Sequence, residues 1–122
     1  ADKDGNAVSN TYTINMNYGS GLVADGTGVL MNNEMDDFSA KPGTPNGFGL
    51  IGGDANAIQA GKRPLSSMSP TFIESKTELA SFGTPGGSRI PSMVLLAMLD
   101  YLDGQPIQRW VASPRYHHQY HA

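Results

Sequence analysis

Glycine and proline decide most of what this chain can fold into. Fifteen glycines and eight prolines are spread over its 122 residues, densest from Pro42 to Gly53, and they form no repeat. Glycine weakens regular elements through its backbone entropy, and proline through its fixed φ and missing N–H. Long helices and strands are thereby excluded from the middle of the chain. Phe38 to Lys62, rich in Gly, Pro, Asn and Ala and without periodicity, reads as a long ordered loop of the functional kind. With no Gly-X-Y period the chain is not collagen-like. At 39% hydrophobic and 16% charged residues it has the composition of a globular protein rather than a disordered tail. Neither an internal repeat nor a linker-like segment divides it, so residues 1–122 are treated as a single unit.

Regular structure is expected on either side of that loop. Asp4-Gly5-Asn6 reads as a turn, and Ala7 to Met16 alternates, with Val8, Tyr12 and Ile14 on one face and Thr11, Thr13 and Asn15 on the other. That pattern predicts a strand. A turn-rich stretch, Tyr18 to Gly28, leads to a second short apolar run, Val29 to Met31, which ends in the polar run Asn32 to Asp37. Met68 to Ile73 predicts a strand that Pro70 confines to an edge or a strand start. A turn at Ser75-Lys76 and a partner from Leu79 to Phe82 complete a hairpin. Ile90, Val94, Leu95, Met98 and Leu102 recur at helical spacing, so Ile90 to Leu102 predicts a helix whose apolar stripe, with Met93, is core. Gly104 ends it, Pro106 starts a shorter helix, and Arg115 to Tyr120 is assigned to a strand.

Charge and composition exclude several functions. The net charge of −3 and pI near 5.4 come with no basic patch for nucleic acid or an anionic membrane surface. The longest apolar run, Met93 to Leu99, is too short to span a bilayer, and Ala1 opens on the polar run Asp2 to Asn6 rather than on a signal peptide. No cysteine is present for disulfides or thiol catalysis. His117, His118 and His121 lack carboxylate or cysteine companions at ligand spacing, and neighbours on a strand face opposite ways, so no metal site is expected.

Three polar clusters carry candidate chemistry. In Asn32 to Asp37, Glu34 and Asp37 place two carboxylates close together. They suit an ammonium group or acid/base work, and equally a solvated turn with helix-capping aspartates. In Lys62 to Pro70, Ser66 and Ser67 offer hydroxyls and backbone donors to a carboxylate beside Lys62 and Arg63. They also fit ordinary strand-entry serines. In Gly83 to Arg89, Gly86 and Gly87 sit at a strand-to-helix turn whose N–H groups can converge on an anion. A plain turn has the same pattern, and no Gly-x-x-x-x-Gly-Lys motif points to nucleotide phosphates.

Taken in order, NNEMDDFSAKPG, GLIGGDANAI, KRPLSSMSPT, TPGGSRI and SPRYHHQ resemble the small subunits of gamma-glutamyltransferases. The resemblance covers nearly the whole chain and is weakest from Glu74 to Phe82 and from Pro91 to Val111. It implies an α+β fold, part of the four-layer αββα sandwich of the N-terminal nucleophile hydrolases. It also implies a precursor that cuts itself into large and small subunits. The new terminal threonine then attacks the gamma-glutamyl carbonyl of glutathione or a related donor, and water or an acceptor amino acid or peptide resolves the acyl-enzyme. No cofactor is implied, and the family's compartment is periplasmic or extracellular.

By the same resemblance Thr13 positions the nucleophile, and Asn15, Glu34 and Asp37 hold the donor's α-amino end. Ser66 and Ser67 bind its carboxylate, Gly86 and Gly87 form the oxyanion hole, and Pro42 to Gly53 is the lid. Phe48 stands where many bacterial members have a tyrosine that helps close this lid. The family's threonine belongs roughly half a dozen residues before Ala1, so the chain as given is expected to be inactive, and the family continues past RYHHQ and carries a donor-binding arginine on the large subunit. A non-catalytic homologue that only binds gamma-glutamyl ligands, and a related acylase or poly-gamma-glutamate hydrolase, remain alternatives at this stage.

Overall fold

A computed structural model of the chain describes residues 1–119. Pro70 stands directly before the first strand, where its missing N–H costs no ladder hydrogen bond. β1 (Thr71–Glu74) pairs antiparallel with β2 (Leu79–Phe82), Thr71 opposite Phe82 and Glu74 opposite Leu79. The turn between them is built by Ser75, whose hydroxyl oxygen accepts the N–H groups of Thr77 (3.2 Å) and Glu78 (3.0 Å). After β2 the backbone passes through Gly86 and Gly87 into a 3-10 turn, Gly87–Arg89, and then into α1 (Ile90–Leu102). Gly104 closes α1 in the left-handed region (φ +69°), its N–H donating to the Tyr101 carbonyl at 2.9 Å. Pro106 then caps α2 (Ile107–Ala112).

These elements belong to one of two compact units, Ala1–Thr11 with Ser67–Ala122. Its core is Phe82, Ile90 and Val94, packed by Met68, Ile73, Ala80, Ala97, Met98, Tyr101 and Trp110. Phe82, Tyr101 and Trp110 form an aromatic triangle with centroids 5.2–6.0 Å apart. Tyr101 meets both partners edge-on, the arrangement that the ring quadrupoles favour. Trp110 Nε1–H donates to the Gln105 carbonyl at 2.8 Å, so the half-buried ring keeps its polar bond.

The other unit, Tyr12–Ser66, is built from turns. It contains two 3-10 turns, Glu34–Asp37 and Asp54–Asn56, and two isolated bridges, Val23 with Leu30 and Pro45 with Ile51. Phe38 and Ser39 are buried in it. A Cβ at Gly52 would overlap Ser39 Oγ, which explains a glycine there.

Three expected strands do not form among the described residues. Ala7 to Met16 has the alternation but no strand pairing, leaving Val8 and Tyr12 82% and 85% exposed. Alternation says which face is apolar, whereas a strand also needs a neighbour to complete its hydrogen bonds. The Ser9 and Ser81 hydroxyls, 3.1 Å apart, tie this segment to β2. Val29 to Met31 is reduced to the bridge at Leu30. Arg115 to Gln119 is irregular, held by the Ser92 hydroxyl on His117 Nδ1 (3.0 Å) and by the Ser88 hydroxyl on Gln119 Oε1 (2.6 Å). Tyr120 and His121 lie outside the described residues.

Candidate active site

The turn after Thr13 is the first piece of the site. Thr13 Oγ1 accepts the Asn15 N–H at 2.8 Å, which uses one of the oxygen's two lone pairs and leaves the hydroxyl proton to donate elsewhere. Asn15 is the non-glycine residue with positive φ (+73°), a conformation that asparagine tolerates better than most. Asn33 holds that turn in place. Its carbonyl accepts Asn15 Nδ2 (3.1 Å), its Oδ1 accepts the Met16 N–H (3.0 Å), and its own N–H donates to Ile14 (3.3 Å).

Directly after Asn33 comes the 3-10 turn Glu34–Asp37. With three residues per turn, side chains at i and i+3 stack, so Glu34 and Asp37 come together where an α-helix would set them apart by about 60°. Both carboxyls are held above their usual range. For Glu34 the main cause is burial, followed by the negative charge of Asp37 and a hydrogen bond between the two groups. For Asp37 burial dominates, the bond from Glu34 works the other way, and Asp36 adds a like charge. Glu34 Oε1 is buried with no hydrogen-bond partner among the described residues, an arrangement that costs about 1–3 kcal/mol when nothing fills it. Two crowded carboxylates with an unpaired buried oxygen make a cation-seeking site, and an ammonium group would relieve repulsion and desolvation together.

The loop beyond this turn is wired back to it. Asp36 Oδ2 accepts the Gly47 N–H (3.0 Å), and the Asp36 carbonyl accepts Asn46 Nδ2 (3.4 Å). Asn46 Oδ1 accepts the N–H groups of Phe48 (3.0 Å) and Leu50 (2.9 Å), which fixes the tip that carries half-buried Phe48. A Cβ at Gly47 would meet Met16 Cε and Asp36 Oδ2, the ends of two side chains that would have to move to admit it. Asn56 makes the third tie: Nδ2 donates to the Asp37 carbonyl (2.7 Å) and Oδ1 accepts the Leu65 N–H (2.9 Å), next to Ser66. Thr13, Asn15, Glu34, Asp37, Phe48 and Ser66 thus share the Tyr12–Ser66 unit.

Ser67, Gly86 and Gly87 belong to the other unit. The Ser67 carbonyl accepts the Ser69 hydroxyl at 3.0 Å. Gly86 has φ +145° and Gly87 +57°, positions that a side chain would strain, and they deliver the backbone to the α1 N-terminus with first-turn N–H groups not used within the helix.

The gamma-glutamyltranspeptidase family profile matches residues 1–122. The chain belongs to the gamma-glutamyltranspeptidase family. It is 55% identical to the glutathione hydrolase proenzyme of Escherichia coli and 57% identical to that of a Pseudomonas species. Each match covers 98% of this chain and 21% of the relative. The chain therefore spans about a fifth of the length of the curated relatives it matches. It superposes on a solved gamma-glutamyltranspeptidase of Helicobacter pylori with a TM-score of 0.90 at 56% identity, covering 98% of this chain and 66% of that one. The fold is accordingly a partial α+β piece of the N-terminal nucleophile hydrolase type.

Sequence reading singled out the candidate residues from Thr13 to Gly87 named above and passed over Asn33, Asp36 and Asn56. Their positions inside NNEMDD and GGDAN were visible. Their partners were not, because they lie 10 to 19 residues away along the chain.

Proposed function

We propose that the full natural protein carrying this chain cleaves the gamma-glutamyl bond of glutathione and related donors and passes the gamma-glutamyl group to water or to an acceptor amino acid or peptide. One observation carries this reading within the family: the buried, partnerless Glu34 Oε1 beside Asp37, a pair of crowded carboxyls suited to the donor's α-ammonium. In the proposed mechanism Asn15 joins them, while Ser66 and Ser67 take the α-carboxylate. This orients the γ-carbonyl toward the family's threonine, which the resemblance places upstream of Ala1. The threonine hydroxyl attacks that carbonyl as its proton passes to the threonine's own amine, with Thr13 orienting the nucleophile. Gly86 and Gly87 N–H groups hold the resulting oxyanion, a contribution of roughly 3 kcal/mol per donor. Collapse expels the amine, which takes up the proton, and water or an acceptor amine then cleaves the ester.

The loop from Pro42 to Gly53 acts as a lid, closed by the Asp36 and Asn46 hydrogen bonds with Phe48 at its tip. The remaining partner is the large subunit of the same precursor, and the compartment is periplasmic or extracellular. Among the described residues no helix is long and apolar enough to cross a membrane.

The test is release of p-nitroaniline from gamma-glutamyl p-nitroanilide by the purified full-length product. Release abolished by replacing the upstream threonine with alanine supports the acyl-enzyme. A product that binds the donor without turnover would overturn it. Glutathione compared with poly-gamma-glutamate as donor fixes the substrate class.

A further inference from the structure

We infer that Asn56 is the positioning residue that sets the spacing between the two ends of the donor-binding site. The inference rests on the functional reading above, in which Glu34 and Asp37 hold the ammonium and Ser66 takes part in holding the carboxylate, and it names what keeps those residues of the Tyr12–Ser66 unit in register.

Asn56 is half-buried at the end of the 3-10 turn Asp54–Asn56, and its side chain bonds two other segments of the unit. Its side-chain Nδ2 donates to the carbonyl of Asp37 at 2.7 Å, the shorter end of the range for such bonds. Its Oδ1 accepts the N–H of Leu65 at 2.9 Å. Its own carbonyl accepts the Ser39 N–H at 2.9 Å, and its N–H donates to Gly53 at 3.1 Å. A single planar amide thus spans from the backbone of one ammonium-binding residue to the backbone adjoining the first of the two serines. Because the amide is rigid, the distance between its two partners is fixed by its own geometry. Lys62 Nζ on the Ala55 carbonyl (2.7 Å) steadies the same turn from its other side. Ser39 is buried against Gly52, so the Asn56 carbonyl is anchored to a part of the unit that has little room to shift.

A ligand that carries both an ammonium and a carboxylate gains from this. Once one end is seated, the other is already at the right distance, and the two groups together contribute more than the product of their separate effects. Without Asn56 each end still binds, but independently. Asn56 touches neither end of the donor, so its effect is on the coupling and not on either contact.

Four anilide donors measure this in the full-length protein: gamma-glutamyl, 4-aminobutanoyl (no carboxylate), glutaryl (no ammonium) and butanoyl (neither). The coupling is the kcat/KM product of the first and last divided by that of the middle two. Asn56→Ala removes both side-chain bonds and is expected to lower the coupling about tenfold, with butanoyl turnover changed by less than about twofold. Asn56→Asp keeps the acceptor for Leu65 and loses the donor to Asp37. It is expected to give an intermediate coupling, and it decides the matter should the alanine variant not fold. A uniform drop across all four donors, or an unchanged coupling, overturns the positioning role. Absence of gamma-glutamyl turnover in the unsubstituted protein overturns the functional reading itself, a result distinct from turnover with unaltered coupling.

Discussion

At the scale of single residues, the pair Glu34 and Asp37 connects structure to pH. Both carboxyls are raised, chiefly by burial, so the folded protein binds protons there more tightly than the unfolded chain does. The sign follows: this pair destabilises the unliganded fold above the ordinary carboxylate range, and the penalty is relieved as pH falls through the raised range. An ammonium ligand needs the charged form, so under the proposed function donor binding would release protons and weaken on acidification. The acid limb of kcat/KM is therefore expected to fall at a pH above the ordinary carboxylate range. Asp37→Asn removes one negative charge facing Glu34 while burial remains. The limb is expected to move partway to lower pH, and KM for gamma-glutamyl p-nitroanilide to rise about tenfold or more. A pH–rate profile of both proteins checks the two effects, and an unmoved limb would assign it to some other group.

Among the elements, the proposed lid makes a separate prediction. Asp36 holds Gly47 through its carboxylate and Asn46 through its carbonyl. Asp36→Ala removes the first bond only, so the loop should open without melting the 3-10 turn. Limited proteolysis within residues 42–53 is expected to accelerate about fivefold, from the loss of roughly 1 kcal/mol, with the melting temperature nearly unchanged. Equal cleavage rates would mean that Asn46 and the Pro45–Ile51 bridge suffice. Gly86→Ala is a harsher change, because φ +145° is strained for any side chain and the new Cβ would sit 3.4 Å from Met93 Sδ. Its turnover is expected to drop well over tenfold, measured by active-site titration to exclude loss of folded enzyme.

What the sequence made legible follows the range of the forces. The helix Ile90–Leu102 was readable to both ends because its periodicity, its glycine stop and its proline sequel are local. So was the hairpin, where Pro70 and Ser75 mark entry and turn. The helix's expected core stripe is only partly core: Ile90 and Val94 are buried, while Leu95 and Leu102 stay exposed because none of the described residues packs over their face. Ala7 to Met16 misled because pairing depends on a partner that alternation does not name. The site shows the same division. Glu34, Asp37, Ser66 and Ser67 stood out by residue type and by resemblance. Asn33, Asp36 and Asn56 are ordinary loop residues until the fold brings their distant partners to them.

At the scale of the whole molecule, the apolar surface sets a limit on what the chain does alone. The buried hydrophobic residues are Phe38, Phe82, Ile90 and Val94. Leu95, Leu99 and Leu102, at i, i+4 and i+7 on one face of α1, stay 54%, 46% and 65% exposed, and Val111 on α2 is 78% exposed. A row of leucines of this kind marks a surface that gains from being covered. Residues 1–122 expressed alone are therefore expected to bind a hydrophobic dye and to melt without a sharp transition. The decisive comparison is the double substitution Leu95→Lys and Leu99→Lys. In the isolated segment both charges enter water, so stability should change little and solubility should rise. In the full-length protein, if further chain covers this face, the same charges must be desolvated or must hold that chain away. The expected cost is then about 3 kcal/mol or more, seen as a lowered melting temperature and reduced recovery of processed enzyme. Equal effects in the two proteins would show that the face is open to water in both, and that the leucines serve only the helix that carries them.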